Sequence, residues 1–137
     1  MGASLSDYWF LHAFIKAKAP RCVLELGPGS TTSVMAHAFS ELEQEGKQLA
    51  KPNIYSVEHI KEYYEDLGKY LPDDLKVFVS AHHIKEHEPE IYPGLIVSSY
   101  ERLPVASCDL IFVDGPPANG LSNGDMFQII KTSDRPL

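Results

Sequence analysis

The sequence predicts an α/β protein: one domain built on a doubly wound parallel sheet with strand order 3-2-1-4. Three observations carry this. Strand-like apolar runs and helix-like amphipathic segments alternate four times along the chain. The last of the runs, "DLIFV" from Asp109 to Val113, is almost continuously apolar, as a strand covered on both faces of a parallel sheet should be. Finally, the distinctive glycines and acids fall at the carboxyl ends of the strands, where open α/β sheets bind ligands.

The first element is a leading helix over residues 1–19. Leu5, Tyr8, Trp9, His12 and Ile15 recur at helical spacing, Ser4 and Asp7 form a capping box, and Pro20 ends the pattern. The remainder, residues 20–137, is read as the binding core. "CVLEL", Cys22 to Leu26, is a short buried strand that stops at Gly27-Pro28-Gly29, because glycine accepts backbone angles closed to other residues and lets a ligand approach the main chain. Ser30 or Thr31 caps the next helix, whose inner face is Val34, Met35, Ala38, Phe39 and Leu42, and Gly46 closes it. The second strand is Asn53 to His59, followed by a helix carrying Tyr63, Tyr64, Leu67, Tyr70 and Leu71 up to Pro72.

Alternation and β-branched residues place the third strand at Leu75 to Ala81. Residues 82–104, rich in charge and proline, read as loop with at most one helical turn. The fourth strand is Cys108 to Gly115, followed by a loop and a helix over Asp125 to Thr132. Cys22 and Cys108 each open an apolar run and are expected as separate buried thiols.

Composition excludes several classes of function. A net charge of −7 with scattered Lys and Arg repels polyphosphate, so no nucleic-acid partner is expected. Without a long apolar run or a signal-like N-terminus the expectation is a cytoplasmic protein with no membrane partner. His82, His83 and His87 with Glu86 and Glu88 form a charged loop, read as solvent-facing rather than as a metal site.

The turn after the first strand decides the ligand class. A dinucleotide turn wants a third glycine, and that position is Thr32. Glu25 is a poor neighbour for two phosphates but a tolerable one for a cationic sulfonium and ammonium. With Glu25-Leu26-Gly27-Pro28-Gly29 the chain resembles the class I S-adenosylmethionine-dependent methyltransferases, whose fold is Rossmann-like and whose first motif has the form acidic-x-Gly-x-Gly. "DLIFVDGPP" resembles the fourth motif of small-molecule O-methyltransferases of the catechol type.

The resemblance implies S-adenosylmethionine as cofactor, a small-molecule acceptor methylated on oxygen, and a set of site residues. Glu25, Gly27, Gly29, Ser30, Thr31, Glu58, His59 and Asp114 are its cofactor-binding candidates, with Glu58 on the ribose hydroxyls. Asp114 is the catalytic candidate; it could orient the methionine ammonium, hold a divalent metal or accept a proton. No metal ligand set is readable. Tyr63 and Tyr64 are read as helix packing rather than as an adenine platform. "DGPP" is also similar to the Asp-Pro-Pro-aromatic motif of base amino-methyltransferases, but Gly115 intervenes and Ala118 replaces the aromatic.

The resemblance covers residues 20–137 and only the cofactor half of the seven-stranded fold. That implies either a truncated methyltransferase or a naturally reduced domain that completes itself by pairing its exposed sheet edge with another chain, so self-association through that edge is one expectation. A non-catalytic S-adenosylmethionine-binding module is the alternative function, and an NAD-dependent oxidoreductase a more distant one.

Overall fold

The structure, a computed structural model, describes residues 5–48, 50–86, 90–92, 95–98, 100–104, 108–113 and 122–123. In chain order the elements are α1 (Leu5–Lys18), β1 (Cys22–Leu26), α2 (Ser30–Gln44), β2 (Asn53–Glu58), α3 (Lys61–Tyr70), α4 (Asp73–Lys76), β3 (Val79–His83), β4 (Glu90–Tyr92), β5 (Leu95–Ser98), β6 (Leu110–Val113) and β7 (Ser122–Asn123). The main sheet runs β3-β2-β1-β6 with every pair parallel, which is the expected 3-2-1-4 order with β6 as its fourth strand. β1 is therefore central, and the order reverses between β1 and β6.

Period-two alternation sorts the central strands onto two cores. Val23 and Ile54 join Leu11, Ile15, Met35, Phe39 and Leu42 under α1 and α2. Leu24, Leu26 and Val57 face the other way and pack with Ile84 and Tyr100. Glu25 and Ser56, in register across β1 and β2, share the α2 face. α2 buries Met35, Ala38, Phe39 and Leu42 as expected, with Thr31, Thr32 and Ala36 added and Val34 only partly covered. Its C-terminus closes at Gly46, whose φ of 69° lies in the left-handed region. There Lys47 N–H reaches Leu42 O and Gly46 N–H reaches Glu43 O, the paired bonds of a Schellman stop.

Several expectations are corrected. α1 buries Leu11 and Ile15, while Leu5, Trp9 and Phe10 are exposed, because its apolar residues are spread around the helix rather than confined to one stripe. Leu75 and Lys76 belong to α4, where their amides bond to Pro72 O, and β3 starts only at Val79. Pro72 followed by Asp73 and Asp74 is a helix start, which overrides the local alternation.

Among the described residues of 82–104, expected to be mostly loop, strands stand instead. His82 and His83 finish β3, and β4 pairs antiparallel with β5, which pairs parallel with β7 in a second sheet. Nor are Cys22 and Cys108 separate thiols: they are joined as a disulfide across Cα atoms 4.9 Å apart. The parallel pairing of β1 with β6 brings both strand starts together, and the Asp109 carboxylate accepts from the amides of Arg21 and Cys22 at the same point. Among the described residues no helix is long and apolar enough to cross a membrane. Ser4, and the helix expected over residues 125–132, lie outside the described residues.

Candidate functional site

The turn after β1 is assembled from inside. Gly27 has a φ of 89°, a conformation that favours glycine, and its amide bonds to Val57 O at 2.9 Å, tying the turn to β2. Glu25 is fully buried. A buried carboxylate needs hydrogen-bond donors in place of water, and Glu25 has at least three. Thr31 Oγ1 donates to Oε2 at 2.6 Å; Thr32 Oγ1 and Ser56 Oγ donate to Oε1 at 2.5 and 2.8 Å. Thr32 Oγ1 in turn accepts from Gly29 N–H at 3.2 Å. The carboxylate thus holds β1, β2, the N-terminus of α2 and the turn in one hydrogen-bonded unit.

Gly29 precedes the first residue of α2 and lies open. A Cβ built on it would meet no atom within 4 Å. Beside it is a cleft of about 360 Å³ lined by Pro28, Gly29, Ser30, Ser33, Tyr63, Asp66, Leu67 and Tyr70. Ser30 is exposed at the helix N-terminus, where backbone amides and the helix dipole favour an anionic group. The two tyrosines read together from sequence part company. Tyr63 is exposed on the cleft, whereas Tyr64 is half-buried and stacks on His83 at 5.7 Å.

Glu58 ends β2 and is 5% exposed. Its Oε2 accepts from the amides of His59 and Ile60 at 2.7 and 3.1 Å, which turns the chain into α3. His59 sits between two acids, with Nδ1 3.2 Å from Glu58 Oε2 and Nε2 3.6 Å from Glu86 Oε2. Its ring meets the buried Tyr100 edge-on at 6.1 Å. Gly27, Gly29, Ser30, Glu58 and His59 therefore gather at the carboxyl ends of two adjacent strands. Glu25 and Thr31 lie beneath that surface, bonded to one another. Asp114 follows β6 and falls outside the described residues, as do His87 and Glu88.

Sequence reasoning missed Ser56 and Tyr100, read Thr32 only as a missing third glycine and placed Glu86 in a solvent-facing loop. For Ser56 a signal was present: it faces the same side as Glu25 by alternation, and a hydroxyl amid apolar strand residues needs a reason to be buried. Glu86 and Tyr100 pair as an isolated bridge, which joins residues far apart in sequence and leaves no local pattern.

No protein-family profile matches the chain, and no curated protein sequence does. Among solved structures it is similar to the O-methyltransferase TomG of Streptomyces achromogenes, involved in tomaymycin synthesis and determined in complex with S-adenosylmethionine. The TM-score is 0.62 and the identity 19%, over 98% of this chain and 53% of that one. The chain thus spans about half the length of that enzyme. In fold it is an α/β, Rossmann-like protein.

Proposed function

We propose that the chain binds S-adenosylmethionine across the ends of β1 and β2 and presents its methyl group to the oxygen of a small-molecule acceptor. The observation that carries this reading is the pairing of an open glycine turn with a nearly buried carboxylate at the next strand end. The cofactor supplies an activated methyl on a sulfonium, and the protein's work is positioning. Gly27 and Gly29 let the ligand lie against the main chain, and Ser30 meets the methionine carboxylate at the N-terminus of α2.

Glu58 holds the ribose through Oε1, since Oε2 is engaged by two amides. His59 borders the ribose position and shields it on the Glu86 side. Glu25 and Thr31 act from below, by fixing the turn. For Asp114, which follows β6 in sequence, the proposed role is to orient the ammonium or take the acceptor proton.

Calorimetric titration with S-adenosylhomocysteine and with NAD tests the reading. Saturable binding of the first and none of the second is expected; the reverse would make the chain a nicotinamide-binding protein and overturn it. A radiolabelled methyl-transfer assay with catechol-like acceptors then separates an enzyme from a module that only binds.

A further inference from the structure

Away from the strand ends, α1 and α2 bring together two imidazoles and a carboxylate that the reading above does not use. His12 comes from α1, and His37 and Glu41 lie one turn apart on α2. Each oxygen of Glu41 faces one ring, with Oε2 3.1 Å from His12 Nε2 and Oε1 3.2 Å from His37 Nδ1. One ligand atom from each of the three residues lies within 4.8 Å of the others. A tetrahedral ion with bonds of about 2.1 Å needs its ligands about 3.4 Å apart, so small side-chain rotations bring the three onto one ion. Two neutral imidazoles and one carboxylate suit zinc and its neighbours in the first transition row, and suit magnesium or calcium poorly.

Both histidines also line an open cavity of about 660 Å³ whose other walls include Tyr8, Trp9, Val34 and Tyr70. An ion held by His12, His37 and Glu41 would have three protein ligands, leaving a fourth position for water or for an anionic group of a molecule in that cavity. From this geometry we infer that the α1–α2 seam is a binding site for a divalent transition-metal ion, zinc being the best match, with His12, His37 and Glu41 as its ligands.

One cation competes for the site. Lys16 Nζ is 3.0 Å from Glu41 Oε2. It also pairs with Glu45, so a metal that takes Glu41 leaves Lys16 with a partner. Removing Lys16 should therefore tighten the metal rather than loosen it, since both a competitor for Glu41 and a neighbouring positive charge are lost.

The test uses the untagged chain, treated with chelator and titrated with Co2+ in the visible region and with Zn2+ by calorimetry. One equivalent should bind, with the intense absorption between about 500 and 650 nm of four-coordinate Co2+. His37→Ala, at an exposed position, should weaken binding at least tenfold and abolish that absorption, and Glu41→Gln should do the same, while Lys16→Met should strengthen it several-fold. Circular dichroism of each variant confirms the fold. Absence of binding by the wild type at millimolar metal would overturn the assignment. So would equal binding by His37→Ala, since the ion would then sit on other histidines, and so would weaker binding by folded Lys16→Met.

Discussion

Two acids lie at the ends of neighbouring parallel strands and serve opposite ends. Glu25 on β1 is fully buried and bonded to Thr31, Thr32 and Ser56. Glu58 on β2 is almost as buried by area, yet the partners of its Oε2 are backbone amides of the turn into α3. The first acid links three elements and builds the surface on which a ligand could lie; the second shapes the turn into α3, meets the His59 ring and sits at that surface. Acidic character at a strand end thus does not say whether the acid braces the interior or sits at the surface. The hydrogen-bond partners make that distinction.

The largest effect is expected from Glu25→Ala. It leaves three interior hydroxyls to find new partners and opens a hole beneath α2, at a cost of about 3 to 5 kcal/mol. Urea denaturation measures it, and a loss below 1 kcal/mol would show that the carboxylate is not the link described. Glu25→Gln keeps the volume and one acceptor, so it should fall between wild type and the alanine variant.

Gly29→Val comes next and should move the other observable. Since a Cβ there meets nothing within 4 Å among the described residues beyond its chain neighbours, the folded variant is expected to lose S-adenosylhomocysteine affinity by about 2 kcal/mol or more while stability changes by about 1 kcal/mol at the helix N-cap. Unchanged affinity in a folded variant would mean that the turn is only a connection. Glu58→Ala should weaken the same ligand by about 1.5 to 3 kcal/mol, the range for a hydrogen bond to a charged group. If Glu58→Ala instead unfolds the chain as Glu25→Ala does, the contrast between the two acids is lost.

The two regions also differ in how far the sequence revealed them. β1, β2 and their order with β6 were legible because each strand is an apolar run closed by glycine or an acid, and the parallel order follows from the helices between them. The second sheet was not. β4 and β5 have three and four residues, too few for alternation to stand out, and their pairing with β7 is a long-range event. The disulfide was misread as two separate thiols: Cys22 opens β1 and Cys108 lies two residues before β6, and nothing local in the sequence fixes the register that brings them together. At the site, Gly27, Gly29 and Glu58 were readable as a motif, whereas Thr32 was noticed only as a missing glycine. Its hydroxyl, relaying Gly29 N–H to Glu25, became meaningful once α2 was laid over the sheet.

The smallest effect is expected where acids are neither buried nor at the site. On the α1–α2 surface Lys16 bonds to Glu41 and Glu45. Hydrogen bonding from Lys16 holds both carboxyls below their ordinary range, with Lys47 adding to the effect on Glu45 and the charges of His12 and His37 to that on Glu41. The same pairing, with Glu45 first, raises the ammonium. The signs then follow. A carboxyl whose pKa is lower in the folded state stabilises above its unfolded value, about 4.3, and that contribution disappears as the pH falls through the folded value. A raised lysine stabilises below 10.5 and loses its contribution as the pH climbs through the folded value. Lys16→Met should therefore lower the melting temperature slightly and evenly between pH 6 and 9, with the gap to wild type closing below about pH 4 and shrinking in 1 M salt. A gap that persists at pH 3 would mean that the Lys16 stem contributes by packing rather than by charge. Glu25 offers the contrast, since added salt should leave the cost of Glu25→Ala almost unchanged: the carboxylate is fully buried and bonded to the hydroxyls of Thr31, Thr32 and Ser56.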